Sequence, residues 1–283
     1  MEACSCREAA EKGVSVSAAL RGIRFQEHTG KERRAIIRTA LLFAGVLCLA
    51  LPGFASDQFF QRSYPLPPGG SFLLENVNGS IQIDGWARDE VEVRAVKIAP
   101  YDSRDLAQVK IDVESHPGQV LVRTFYPRGE GAEVAVKYHV YVPSRILLSH
   151  VQTVNGDVLV RGIAGAGDLR SVNGNVEVLD SSGWFNARTT NGDLRLELSK
   201  LREGAPMNLE TVNGSVVLEL PSNVDANLRV LNMNGGFSSE LPMTSAMASA
   251  TARSFRAKLG AGGGEICVRT VNGGIRLVRE PKV

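Results

Sequence analysis

Seven Asn-Gly pairs constrain this chain more than any other feature: Asn78-Gly79, Asn155-Gly156, Asn173-Gly174, Asn191-Gly192, Asn213-Gly214, Asn234-Gly235 and Asn272-Gly273. Half of the 14 asparagines precede a glycine, although glycine supplies only 29 of 283 residues, so the pairing is a structural demand. Glycine adopts positive φ freely and asparagine tolerates it, so each pair predicts a corner. Successive corners are 77, 18, 18, 22, 21 and 38 residues apart. The last interval is close to twice nineteen, which reads as one repeat that has lost its Asn-Gly.

Aligning the seven copies exposes the reason for the repetition. Four places before each Asn stand Leu74, Val151, Leu169, Ala187, Leu209, Val230 and Val268, an apolar column without exception. Three places after it stand Ile81, Val158, Val176, Leu194, Val216, Phe237 and Ile275; five after it stand Ile83, Val160, Val178, Leu196, Leu218, Ser239 and Leu277. The residues between those columns are mostly polar, so a strand with one buried face follows each corner. Two places before the Asn come Asn76, Thr153, Ser171, Thr189, Thr211, Asn232 and Thr270, short side chains able to satisfy backbone groups that a corner leaves unpaired. The residue directly before the Asn is mainly β-branched, as extended backbone prefers.

Asn-Gly between apolar alternations is the usual signature of a hairpin, and an antiparallel meander would use each pair that way. A solenoid accounts better for columns that keep their character in every copy while the intervening bends, SSGW in one and SKLREGAPM in another, vary in length. The expected fold is therefore all-β, a parallel β-solenoid or β-helix-like stack of about 20-residue coils. Stacked asparagines would form amide ladders along its axis. Residues 56–150 hold longer strands, such as VAVKYHVYV (134–142), and are expected to form an N-terminal β-sheet capping region.

Residues 31–56, KERRAIIRTALLFAGVLCLALPGFAS, run from basic to apolar to small residues, the order of a secretory signal cleaved after Ala55. Its apolar run is shorter than the roughly 20 residues of a membrane span, with an uncleaved anchor as the alternative. The predicted organisation is an unstructured upstream extension (1–30, from a start site set too early), a signal peptide (31–55), an N-terminal β region (56–150) and the Asn-Gly repeat solenoid (151–283). Beyond residue 56 the chain carries 24 basic and 25 acidic groups, which gives no dense positive face for nucleic acid. Removal of the leader takes Cys4, Cys6 and Cys48 and leaves Cys267 alone, so neither a disulfide framework nor a cysteine metal site is available within one mature chain.

Three segments carry a resemblance to a known family: FLLENVNGSIQIDGWARDEVEVRAVK (72–97), the TVNG series, and GGGEICVRTVNGGIRLV (262–278). Together they resemble the bacterial putative adhesin family, a domain of unknown function. The resemblance implies an exported, all-β, solenoid-like protein with adhesion as a label, and it transfers no catalytic residue. Departures at Ser239 and in SAMASATARSF (245–255), where one corner is missing, predict a loop or irregular coil.

Parallel β-helices also host polysaccharide lyases and hydrolases, which need carboxylates converging on a cleft. Asp157 and Asp193 follow their corners, but the equivalent places hold Ser80, Asn175, Ser215, Gly236 and Gly274, so these acids read as solvated turn residues. His116, His139 and His150 are scattered and read as solvated. GAGGG (260–264) lacks the strand-to-helix context and the Lys-Ser/Thr of a phosphate loop. The expectation is an exported, non-enzymatic, adhesin-like protein of the periplasm, cell surface or secreted fraction, without cofactor, metal or catalytic residues. Its partner would be a surface, a polysaccharide or another copy of itself. A carbohydrate-active enzyme and a polymerising envelope scaffold stand as alternatives. Ligand specificity is expected from outward residues that vary between copies: Arg170, Glu177, Arg188, Arg195 and Glu210.

Overall fold

The computed structural model describes residues 57–100, 103–127, 133–248 and 254–280. The upstream extension and signal peptide expected at 1–30 and 31–55 lie outside the described residues. No helix among the described residues is long and apolar enough to cross a membrane.

The chain opens with β1 (Gln58–Pro65), β2 (Ser71–Glu75), β3 (Ile81–Trp86) and β4 (Glu90–Ile98), then a 3-10 turn at Ser103–Ala107. Next come a hairpin of β5 (Lys110–His116) and β6 (Gln119–Phe125), and β7 (Ala135–Pro143). The regular part holds β8 (Leu147–Gln152), β9 (Val158–Arg161), β10 (Ala164–Arg170), β11 (Val176–Arg188), β12 (Leu194–Leu201), β13 (Met207–Asn213) and β14 (Val216–Leu220). The chain ends with β15 (Ala226–Asn234), β16 (Phe237–Ser239), β17 (Met243–Ala248), β18 (Ser254–Leu259), β19 (Glu265–Asn272) and β20 (Ile275–Arg279).

Each Asn-Gly joins two strands on different walls of a parallel solenoid. Strands leading into corners pair in the order β6, β2, β8, β10, the end of β11, β13, β19, β15. Strands leaving corners pair in the order β7, β3, β9, the start of β11, β12, β14, β20, β16. At the usual strand spacing, eight stacked coils span about 34 Å from first to last. The three apolar columns form the core: Leu74, Val151, Leu169, Leu209 and Val268 are fully buried, as are Val158, Val176, Leu194, Val160, Val178 and Leu196. Only the last coil deviates. Its Phe237 is partly buried and meets Phe255 edge-on, ring centroids 4.5 Å apart.

Antiparallel strands cover both walls at the first end and the β15 wall at the other, which blunts the parallel edges that would recruit another chain. The N-terminal β-sheet capping region consists of β1–β4–β7 and the β5–β6 hairpin, and it runs without a break into the coil of β2 and β3. At the other end β18 pairs with β15 and β17 with β18.

The 38-residue interval is not a lost repeat. β18 runs back along β15 and returns the chain to the start of a coil, after which β19 and β20 insert between the Asn213 and Asn234 coils. Of the segment 245–255, expected to be a loop or irregular coil, residues 245–248 lie in β17 and 254–255 in β18, which pair antiparallel. Along the axis the corners stand in the order Asn78, Asn155, Asn173, Asn191, Asn213, Asn272, Asn234.

Gly79, Gly156, Gly174 and Gly273 have positive φ, as expected of corner glycines, and the structure adds a second reason for them. Among the described residues Asp180 is the one non-glycine residue at positive φ (50°), so the corner asparagines are not left-handed. Glycine is also required because backbone stacks on backbone. A Cβ on Gly174, Gly192 or Gly214 would press into the carbonyl oxygen of the glycine one coil away.

Candidate functional site

The repeated corners are fully engaged in holding coils together. Asn155 Nδ2 donates to Asn78 Oδ1 (2.7 Å), and Asn173, Asn191, Asn213 and Asn272 continue the file at 2.8 Å each. Asn234 completes it against Asn272 at 2.9 Å. Inside this amide ladder a second one runs through the buried hydroxyls. Ser171, Thr189, Thr211 and Thr270 donate to the carbonyls of Gly156, Gly174, Gly192 and Gly214 at 2.8–2.9 Å. A third file uses the acids: Asp157 Oδ1 accepts the Asn175 N–H, Asn175 Oδ1 the Asp193 N–H, and Asp193 Oδ1 the Ser215 N–H, at 2.7–2.9 Å. Asp157 and Asp193 therefore brace successive corners and face no cleft together.

The outward residues expected to carry specificity are mostly paired within the chain. Arg170 makes a two-pronged contact with Asp168 on its own strand (2.8 and 3.0 Å). Arg188 and Arg269 share Glu210 from either side (3.6 and 3.5 Å), and Arg195 bonds Glu197. Exposed pairs of this kind contribute little stability, and their charge is already answered within the chain.

His139, read from sequence as solvated, is half-buried and bonded through Nε2 to Asp84 Oδ2 (2.6 Å). It belongs to a row of flat groups on β3, β7 and β4. Trp86 stacks on Tyr141 (5.2 Å), Arg88 covers Trp86 (4.7 Å) and Arg94 covers Tyr141 (4.9 Å). The Arg94 guanidinium also holds the Glu92 carboxyl below the usual range. These groups stand face to face and satisfy each other. His116 lies 3.7 Å from Glu114, and His150 sits beside Leu73 on the neighbouring strand. Burial pushes the Cys267 thiol up, which lowers its nucleophilicity at neutral pH. Among the described residues no group of three His, Cys, Asp or Glu side chains is placed to hold a metal.

An open surface of different character lies at the second bend of the coils, where the strand leaving one corner turns toward the next. There four consecutive coils contribute short segments, Arg145–Leu147, 164–166, 182–184 and 200–202, and Gly69 of the next coil adjoins Arg145. Gly165 and Gly183 stack backbone to backbone, and a Cβ on either would press into the carbonyl of the coil beside it. Ala164 and Ser182 flank them, and Ala166 lies in register with Leu147 on one side and Trp184 on the other. Small residues over two coils, bounded by large ones, leave a trough of about 640 Å³. Leu147 and Trp184 are two strand spacings apart, roughly 10 Å. The indole is half-buried, and Arg145, Lys200 and Arg202 are exposed at the rim. No carboxylate lines the trough.

Sequence reasoning missed these residues because they lie in the bends that vary in length. Trp184 was the available signal, since it is one of only two tryptophans in the chain.

The solved structures similar to this chain include a putative cell adhesion protein from Clostridium sporogenes, at 8% identity and TM-score 0.36, covering 79% of this chain and 100% of that one. A putative adhesin from Bacteroides fragilis aligns at 10% identity and TM-score 0.41, over 81% and 100% of the two chains. No curated protein sequence matches. The sequence profile of the Toastrack DUF4097 family matches residues 79–278, which hold six of the seven Asn-Gly pairs and Gly79 of the first, and the chain belongs to that family.

Proposed function

We propose that this chain is an exported, adhesin-like, non-enzymatic binding domain of the cell envelope, and that the trough at the second bend holds a polysaccharide. One observation carries the reading: the trough is an open concavity with an indole wall and a small-residue floor on a rigid stack, and no carboxylate lines it. Its volume lies in the range of ligand sites. An aromatic wall offers a large apolar contact to the C–H face of a sugar ring at low entropic cost. Glycoside hydrolysis commonly uses a pair of carboxylates flanking the bond, and the lining holds no carboxylate.

The test is a binding screen of the purified chain against cell-wall and envelope polysaccharides, with an assay for new reducing ends on every polymer that binds. Binding that weakens in Trp184→Ala, with no reducing ends released, is the expected result. Release of reducing ends by the wild-type chain, or binding indifferent to Trp184, contradicts the proposal.

A further inference from the structure

The trough's rim chemistry goes one step further than binding. We infer that the trough selects an acidic polysaccharide, with uronate carboxylates meeting Arg145, Lys200 and Arg202; this rests on the polysaccharide-binding reading above. The register sets out two short rows. In one, Ala164 neighbours Ser182, and Ser182 neighbours Lys200; Arg145 stands at the opposite end, directly after Ser144, whose carbonyl accepts the Ala164 N–H (2.7 Å). In the other, Leu147, Ala166 and Trp184 stand side by side. Cations therefore stand at both ends of a floor of small residues, about three strand spacings or roughly 14 Å apart, with the indole between them.

These cations differ from the paired ones on the solenoid walls. Arg94, Arg123, Arg170, Arg188, Arg195 and Arg269 each have a carboxylate partner within the chain. The side chains of Arg145, Lys200 and Arg202 have no hydrogen-bond or ion-pair partner among the described residues. A guanidinium that faces no internal acid is available for a two-pronged bond to an external carboxylate, the strongest common form of that contact. An indole wall beside it demands a ring with an apolar face, which a plain polyanion lacks. Sugar ring and carboxylate together define a polyuronate. A second cationic depression at Arg229, Arg256 and Lys258 contains Glu265 and no aromatic side chain, and serves as the internal comparison.

The experiment measures affinity of the full chain for four polymers of matched length: a polyuronate such as alginate, neutral dextran, dextran sulfate, and polyglutamate. The wild-type chain is expected to bind polyuronate most tightly, and to lose affinity as salt is raised. Trp184→Ala should weaken binding about tenfold or more. The exposed triple variant Arg145→Ser, Lys200→Ser, Arg202→Ser should weaken it on the order of a hundredfold. Arg229→Ser with Lys258→Ser should change it less than about twofold. Equal binding of dextran, with sensitivity to Trp184→Ala alone, overturns the acidic assignment and leaves polysaccharide binding standing. Polyglutamate or dextran sulfate binding as tightly as polyuronate overturns it in favour of bare charge or of a sulfate site. Binding of any polymer that neither trough variant disturbs overturns both readings. The triple variant removes only exposed side chains, so it remains informative if Trp184→Ala lowers stability.

Discussion

Thr189→Val tests the inner hydroxyl ladder with almost no change of volume. Thr189 is 1% exposed, and its hydroxyl donates to the Gly174 carbonyl at 2.8 Å, a carbonyl that the parallel backbone pairing leaves free at the corner. Valine fills the same space and removes the donor, leaving the carbonyl without its partner one coil away. Loss of a neutral hydrogen bond with its acceptor left in a confined site costs ~1–2 kcal/mol. For a body of this size, that corresponds to a fall in Tm of about 2–8 °C. Thr190→Val is the matched control, since the next residue points outward, is half-exposed and makes no side-chain hydrogen bond. It should stay within about 0.5 kcal/mol of the parent. Calorimetry or far-ultraviolet dichroism melts of both variants, with urea midpoints as a second measure, read the difference. Equal Tm values for Thr189→Val and Thr190→Val would refute the claim that buried hydroxyls hold successive coils.

The order of the coils predicts a disulfide. With Cys267→Ser as background, Val212→Cys paired with Val271→Cys places thiols on adjacent rungs about 4.8 Å apart, within bridging range. Val212→Cys paired with Met233→Cys spans two rungs, roughly 10 Å, and should not oxidise within one chain. Mass spectrometry after mild oxidation distinguishes them, and the opposite result would mean that the chain stacks in sequence order. Glu219 is an acid whose pKa is raised, first by burial and then by Glu197. Its charged form is penalised in the folded state, so the penalty is absent below the unfolded pKa, where both states are neutral, and is present in full above the folded one. Glu219→Gln is accordingly expected to raise Tm at pH 7 and to leave it unchanged below about pH 4, as melts across that range would read.

The corners and columns could be read from the sequence because each is fixed at a short offset from an Asn-Gly pair. Leu169, Val176 and Val178 share one short segment, and period two alone puts all three inside. The vertical order was hidden for the opposite reason. Every rung has the same column chemistry, so the Asn272 coil fits on Asn213 as well as on Asn234. The rungs at the two ends of the amide ladder did carry a mark: Asn76 and Asn232 replace the Ser or Thr of the other five copies. Asn76 reaches past its own coil to the Val136 carbonyl on β7 (2.9 Å), a strand of the coil that lacks an Asn-Gly pair. The trough was hidden because Arg145, Trp184 and Arg202 come together only after four bends of unequal length are stacked. Arg170, Arg188 and Arg195 looked free in sequence, while their partners Asp168, Glu210 and Glu197 are assigned only by strand geometry.

The central claim is that the Asn-Gly file builds the stack while the trough at the second bend meets the ligand. The most direct measurement is protection from chemical modification at saturating polyuronate. Trp184 is labelled with a tryptophan-selective nitrobenzyl reagent, Trp86 serves as the internal control, and a maleimide reports on a thiol introduced by Val172→Cys beside the amide ladder. The account predicts slowed labelling of Trp184, with Trp86 and the ladder thiol reacting as fast as in the free protein. Protection of the ladder thiol while Trp184 reacts unhindered would contradict it.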